Sequence, residues 1–440
     1  MSADILAGGE AARPHDRVAR SKSLQSLRAA AVGNLLEWFD WTLYGTFAVY
    51  LAANFFEKTD STSALLSTLA VFAVGFVARP IGGIIFGRFG DRIGRKNTLI
   101  VTMSTMAAAS LMIALIPSYA NIGIWASALL LIARLLQGLA HGGESGVSYA
   151  YVAEIAPAER RGLWASSVFI SVTLGVMAAT LLGIVLTSLF SPADMMAYGW
   201  RLGFAFGGIL GLFALYMRRA AHESPVYDAD EAAPAVVAPM NGRDKLQILL
   251  KVVFFSAGSN VAYYTWVTFA PSFAISARGM DARGAFIASL LAQLVVLCLL
   301  PFFGHLADKF GRKPMVFVYG LGLILAPIPV AAILTNEPWT LFVSQGIGLA
   351  VWAIIASIYP TLIAEQIPTQ QRALGVGFLS SLSVAIFGGT APYLNAWLSS
   401  IGLSWVFSLY IMVLGALAVI AAIMIRETRG VPLSQIRSGR

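Results

Sequence analysis

The sequence is short of charge. Only 12% of its 440 residues are Asp, Glu, Lys or Arg, while 58% are hydrophobic. Soluble globular domains run near ~25% charged, so a soluble protein of this size is excluded and a polytopic membrane protein is expected. There is one cysteine, Cys298, in an apolar run, which excludes an intrachain disulfide and suggests a packing thiol. Four His and one Cys, with no His/Cys cluster, exclude an ordinary zinc site, and no metal is expected. Gly-x-Ser-x-Gly occurs nowhere, and no nucleotide-binding loop is present. The chain is therefore not expected to be an enzyme or to need a cofactor, and any transport must draw on an ion gradient. Residues 1–28 lack an apolar core and read as a basic arm rather than a signal peptide.

What is present is a series of apolar runs of about 20 residues, the length that crosses a bilayer. They predict twelve helices, at 29–52, 65–87, 97–117, 122–153, 163–190, 200–219, 248–275, 284–306, 315–334, 339–364, 373–398 and 404–425. The polar, Pro/Ala-rich stretch 220–247 reads as a cytoplasmic linker between two six-helix halves, 29–219 and 248–425, with a tail at 426–440. Of the 30 Lys and Arg, 24 fall on the side that holds both termini and four on the other, with Arg79 and Arg134 inside spans. That bias predicts both termini in the cytoplasm. It also accounts for the net charge of +8 as membrane anchors, so no nucleic-acid partner is expected.

The halves repeat. GRFGDRIGRK (87–96) recurs as GHLADKFGRK (304–313), and AEIAPAERRG (153–162) returns more loosely as AEQIPTQQRA (364–373). Two motifs in the same order at nearly the same offset indicate duplication, a common construction of transporters. Gly87 and Gly304 permit close turns. Asp91 and Asp308 can bind a neighbouring helix end, and Arg95, Lys96 and Arg312 hold the loops at the inner surface as a cytoplasmic gate. The second copy has Lys309 where the first has Arg92, so Asp308 is expected to tolerate change better than Asp91.

With RLLQG (134–138), these loops resemble the Major Facilitator Superfamily. GNLLEWFDW (33–41), GFVARPIGG (75–83), GGE (142–144) and GWRLGF (199–204) resemble its metabolite:proton symporter branch. The resemblance covers about residues 28–425. It implies an all-α fold of two pseudo-symmetric six-helix bundles, a central site, alternating access and a bacterial inner membrane. The expected function is proton-coupled import of a small organic anion, a di- or tricarboxylate such as α-ketoglutarate or citrate. Sodium coupling stays open, as do a proline/betaine or shikimate-type substrate and a non-transporting membrane sensor. The protein is expected to act as a monomer in the lipid bilayer.

Two acids stand in the first span. At ~100° per residue, Asn34, Glu37, Asp40, Trp41 and Tyr44 share an arc of about 120°. A carboxylate facing lipid at the bilayer centre costs ~3 kcal/mol or more, so this face must point into protein. The fourth span repeats the pattern with Arg134, Gln137, His141, Glu144, Ser145 and Ser148. Glu37, Asp40 and Glu144 are candidate proton carriers. Arg134 joins them because the resemblance gives the matching Arg a coupling role. Arg79, ahead of Pro80, suits a substrate carboxylate, because guanidinium is a planar fork. The second half offers amides and aromatics, Asn260, Tyr263, Tyr264, Gln293, Trp352 and Tyr359, as substrate walls. Asn34, Tyr44, Gln137 and His141 complete the expected substrate set. His141, one turn from Ser145, is expected either to fill space in the packing or to donate its imidazole N–H to a substrate carboxylate.

Overall fold

The computed structural model describes residues 33–57, 60–93, 95–142, 149, 152–220, 241–367 and 372–433, without the side chains of 87–97, 99, 214, 216–220 and 373–374. Among the described residues there is no strand. The helices are α1 (33–46, continued by Ala48–Phe55), α2 (Ser61–Ile93), α3 (Arg95–Leu115), α4 (Ile124–His141), α5 (Arg161–Leu189) and α6 (Trp200–Ala220). The second half follows with α7 (Gly242–Ala262, running through a π turn at Tyr263–Thr268 into Ala270–Arg278), α8 (Ala282–Phe310) and α9 (Arg312–Leu325 with Pro327–Ile333). It closes with α10 (Pro338–Ala356 with Tyr359–Glu365), α11 (Arg372–Ser383, a π turn, then Ala391–Ser400) and α12 (Ser404–Met424). Eight helices of the described residues are long and apolar enough to cross a membrane, nine with the bent pair of α9.

Breaks follow local chemistry. Pro271, Pro327, Pro360 and Pro392 each stand at the first or second position of a new helical piece, where a missing N–H costs nothing. Asp60 starts α2 by accepting from the backbone of Thr62 and Ser63 and the Ser63 hydroxyl, bonds that hold its carboxyl below the usual range. Cys298 proves exposed rather than packed, on the outer face of α8. Only burial against protein would have made the thiol a core group, and lipid accepts it as readily.

The halves meet along two seams, α5 against α8 and α2 against α11. At the end of the bundle that carries the repeated loops, Gly162 of α5 and Gly304 of α8 touch backbone to backbone. A Cβ on Gly162 would lie 2.7 Å from the Gly304 carbonyl oxygen. At the far end the Ser272 hydroxyl of α7 donates to the Gly45 carbonyl of α1 at 2.6 Å, and Phe47 meets Phe286. Contacts between the halves thus lie on both sides of the centre. Residues 221–240, the bulk of the expected linker, lie outside the described residues, and α7 starts at Gly242 rather than at 248.

Candidate substrate cavity and its charged wall

Between the halves lies a small cavity. The first half contributes Trp38, Arg79, Tyr149 and Phe169. The second contributes Ser259, Asn260, Tyr263 and Tyr264 from α7, Trp352 and Tyr359 from α10, and Ser380, Ser381 and Val384 from α11. Arg79 is the one charge among these lining residues. The π turn of α7 begins at Tyr263, and widening the helix there lets two successive tyrosines share the wall.

Arg79 is 4% exposed, and its Nε and Nη2 have no hydrogen-bond partner among the described residues. Its guanidinium carbon lies 4.0 Å from the ring centroid of Trp41 and 4.5 Å from that of Phe76. Aromatic faces stabilise the flat cation by about 0.5–2 kcal/mol each and leave its N–H edges open. A buried ion without a bonded counterion carries a desolvation penalty of several kcal/mol. An incoming carboxylate relieves that penalty and matches the fork. Among the described residues the hydroxyls of Tyr263 and Tyr264 make no hydrogen bond of full geometry, although Thr268 stands near the first and Arg79 near the second, so the wall facing Arg79 has donors that can turn to a ligand. Asn260 donates to Ser383 at 2.9 Å, and Tyr359 donates to Ser256 at 3.1 Å.

Behind Trp41 lies a second, sealed network. Arg134 Nη1 donates to Gln137 Oε1 at 2.8 Å. Gln137 Nε2 donates to Asp40 Oδ2 at 3.0 Å and to Ser110 Oγ at 2.8 Å, and the Ser110 hydroxyl donates to Asp40. Gln137 therefore relays between a cation and a carboxylate that do not touch. None of the four lines the cavity. Glu37 faces another way, with its Oε1 at 2.5 Å from His141 Nδ1.

Of the expected substrate residues, the cavity gathers Arg79, Asn260, Tyr263, Tyr264, Trp352 and Tyr359. Five others do not line it. Asn34 binds Ser171 at 2.7 Å and so ties α1 to α5. Tyr44 donates to the Thr68 carbonyl at 2.9 Å. Gln137 belongs to the Asp40 network. Gln293 turns to Ser289 and Thr180. His141 is walled off by Trp38 and Trp41. Glu144, Ser145 and Ser148 lie outside the described residues. Trp38, Tyr149, Phe169 and the serine pair 380–381 are lining residues that sequence reasoning missed. Trp38 sits about 40° beyond Asn34, at ~100° per residue, on the edge of the polar arc, and only that position hinted at it.

In the loop motif of the second half, Asp308 makes several contacts. Asp308 accepts from the backbone N–H groups of Gly162 at 2.7 Å and Leu163 at 2.9 Å, at the N-terminus of α5, and from Arg312 at 3.0 Å. The Asp308 carboxylate thus bridges the halves, while the Asp91 side chain, against which its tolerance is ranked, lies outside the described set. Arg161 reaches Glu365 at 2.9 Å, and Glu365 also accepts from Thr428 at 2.5 Å. At Gly311, with φ +102°, a side chain would be strained and would meet the Glu427 carboxylate. Gly87, Asp91, Arg95 and Lys96 have side chains outside the described set, so their expected gating is not located.

The profile of the Major Facilitator Superfamily matches residues 30–384 and, in a second overlapping match, 288–439. The alpha-ketoglutarate permease of Escherichia coli (strain K12) is 35% identical over 415 residues, covering 94% of this chain and 96% of the relative. A putative proline/betaine transporter of Staphylococcus haemolyticus (strain JCSC1435) is 36% identical over 384 residues, covering 84% and 80%. The structure of the proton:xylose symporter XylE with 6-bromo-6-deoxy-D-glucose aligns with a TM-score of 0.75 at 18% identity, covering 95% of this chain and 98% of the other, and speaks to the fold alone. Fold and relatives define a multi-pass membrane transporter. The chain belongs to the Major Facilitator Superfamily.

Proposed function

We propose that the protein imports a small organic anion together with protons, by rocking of the halves 29–219 and 248–425 around the central cavity. The observation that carries this reading is Arg79, a buried guanidinium with unpartnered N–H groups on the cavity wall. A carboxylate is the ligand such a group takes. A dicarboxylate of the α-ketoglutarate kind fits best. One carboxylate sits on Arg79, and the other meets neutral donors such as the hydroxyls of Tyr263 and Tyr264. A tricarboxylate such as citrate finds only one cation among the described lining residues. The relative named as an alpha-ketoglutarate permease, matched along almost its whole length, supports the choice.

A zwitterion of the proline/betaine kind is the second reading. Trp38, Tyr263 and Trp352 form aromatic walls near the single guanidinium, and such walls bind quaternary ammonium groups. Proton coupling resides on the polar faces of α1 and α4, where Glu37, Asp40 and Glu144 are the candidate acids and Arg134 is the cation that sets their charge balance. Both walls of the cavity come from one chain, which supports a working monomer. The excess of Lys and Arg at the loop-motif end supports cytoplasmic termini, and a bacterial inner membrane follows from the relatives.

Reconstituted vesicles test this directly. Uptake of α-ketoglutarate should rise with an inward proton gradient and collapse with a protonophore. Uptake that needs sodium at fixed pH and ignores the proton gradient would overturn the coupling, and failure to move any carboxylate or zwitterion would overturn the reading itself.

A further inference from the structure

The two ring nitrogens of His141 differ in what they face. Nδ1 lies 2.5 Å from Glu37 Oε1, too close for two bare lone pairs and so a contact that holds a proton, although neither atom meets full hydrogen-bond geometry. The ring is fully buried, and Nε2 has no hydrogen-bond partner among the described residues and no carboxylate beside it. A buried polar atom left unpaired costs about 1–3 kcal/mol, and such atoms cluster where chemistry needs them. With Nδ1–H given to Glu37, Nε2 keeps an unshared lone pair. That is the arrangement in which an imidazole acts as a base.

Two indoles enclose this base. Trp41 stacks on the imidazole at 5.2 Å between centroids, and Trp38 presents an edge at 5.3 Å. Trp38 also lines the cavity and meets Tyr263 of the opposite half at 5.3 Å. It is a partition held partly by the other half, so parting the halves on that side removes one of its supports.

The charges facing the imidazole come from three helices. They are Glu37 on α1, Arg79 on α2 and Arg134 on its own helix. Asp40, also on α1, is turned to Ser110 and Gln137. Both guanidiniums stack on Trp41, which itself stacks on the imidazole. A carboxylate bound at Arg79 offsets one of these two charges beside the ring, and any linkage between the sites is reciprocal.

We propose that His141 Nε2, oriented by Glu37 and screened from the cavity by Trp38, is the seat of the transported proton, and that its occupancy is tied to the carboxylate on Arg79. The idea rests on the proton-symport reading above. In the step, a hydrated proton in the opened cavity passes to Nε2 and leaves water behind. Imidazolium forms, Nδ1–H stays with Glu37, and no other bond changes. On the other side the anion leaves Arg79, and the proton returns to water.

The test uses the full-length protein in detergent, with α-ketoglutarate or betaine as ligand, whichever the uptake assay selects. Calorimetry in two buffers of different ionisation enthalpy reads proton uptake on binding. Wild type should take up a proton, and His141→Gln should take up none and lose the pH dependence of affinity that wild type shows. Unchanged proton uptake by His141→Gln would overturn the assignment and move the seat to another acid. If that variant does not fold, the protein with His15, His222 and His305 replaced by Asn leaves one imidazole for ¹⁵N spectroscopy. Ligand should convert its signal from the neutral Nδ1–H tautomer to imidazolium, and an unchanged signal would overturn the proposal. If wild-type transport ignores protons, the symport reading falls and this proposal with it. If wild type is proton-driven and His141→Gln keeps its proton uptake, this proposal alone falls.

Discussion

Trp41 carries both guanidiniums of the membrane-embedded core. Arg79 lies 4.0 Å and Arg134 4.1 Å from its ring centroid. One cation faces the cavity and the other serves the sealed Asp40 network, so a single buried indole stands between the binding site and its charge balance. Trp41→Leu should remove two cation–π contacts worth about 0.5–2 kcal/mol each and lessen the separation of two like charges. Thermal unfolding in detergent should fall by several degrees, and substrate affinity should fall about tenfold or more. Trp41→Phe should recover most of both. Equal affinity in wild type and Trp41→Leu would show that the indole only fills space.

Asp40 should behave as a structural acid whatever its part in coupling. Asp40→Asn leaves Arg134 buried without its relayed counterion, and such a loss costs on the order of 3 kcal/mol. Ser110→Ala removes one hydrogen bond of the same network and should cost about 1 kcal/mol. Denaturation of the two variants should rank them in that order, and an Asp40→Asn protein as stable as wild type would break the account of the network.

The tyrosines of α7 give the opposite signature. Their hydroxyls make no hydrogen bond of full geometry among the described residues, and both tyrosines line the cavity. Tyr263→Phe and Tyr264→Phe should leave stability within about 0.5 kcal/mol, as changes clear of named structural interactions do, yet weaken binding of a dicarboxylate severalfold. Weakened folding with intact binding would place the hydroxyls in the packing instead.

At the loop-motif end Asp308 accepts from two backbone N–H groups of α5 across the halves and from Arg312 of its own half. Asp308→Asn keeps an oxygen for one N–H and loses the charge at the helix N-terminus. The equilibrium between states should shift towards opening at that end, with affinity unchanged within severalfold. Labelling of a cysteine introduced near Gly162 would report this, and no change in its accessibility would make the contact incidental.

Much of the architecture was legible because apolar runs, proline positions and the duplicated loops are local signals. Arg79 was legible as a lone cation in an apolar stretch, and Trp352 with Tyr359 as aromatics two turns apart on one face. The polar stripes of α1 and α4 were legible too, but their partners were not. Helical periodicity gives a direction around one axis and says nothing about which neighbour occupies it. Asp40 found Gln137, and Glu37 found His141, across a hundred residues of chain. For the same reason the arc of α1 was aimed at the cavity, when its edge residue Trp38 is the one that reaches it. Ser380 and Ser381 escaped notice because serine in a membrane helix is most often bonded to its own backbone, as Ser380 is to Gly377.

The measurement closest to the central claim is ligand binding to wild type and Arg79→Gln, by thermal shift and calorimetry, across α-ketoglutarate, citrate, succinate, itaconate, shikimate, proline and betaine. The account predicts that at least one carboxylate, α-ketoglutarate first, stabilises wild type. The same ligand should lose a hundredfold or so in affinity for Arg79→Gln, the loss of a charge-assisted bidentate contact of about 1.5–3 kcal/mol. Arg79→Lys should fall between. A carboxylate bound equally well by Arg79→Gln and wild type would contradict the claim that this guanidinium holds the substrate.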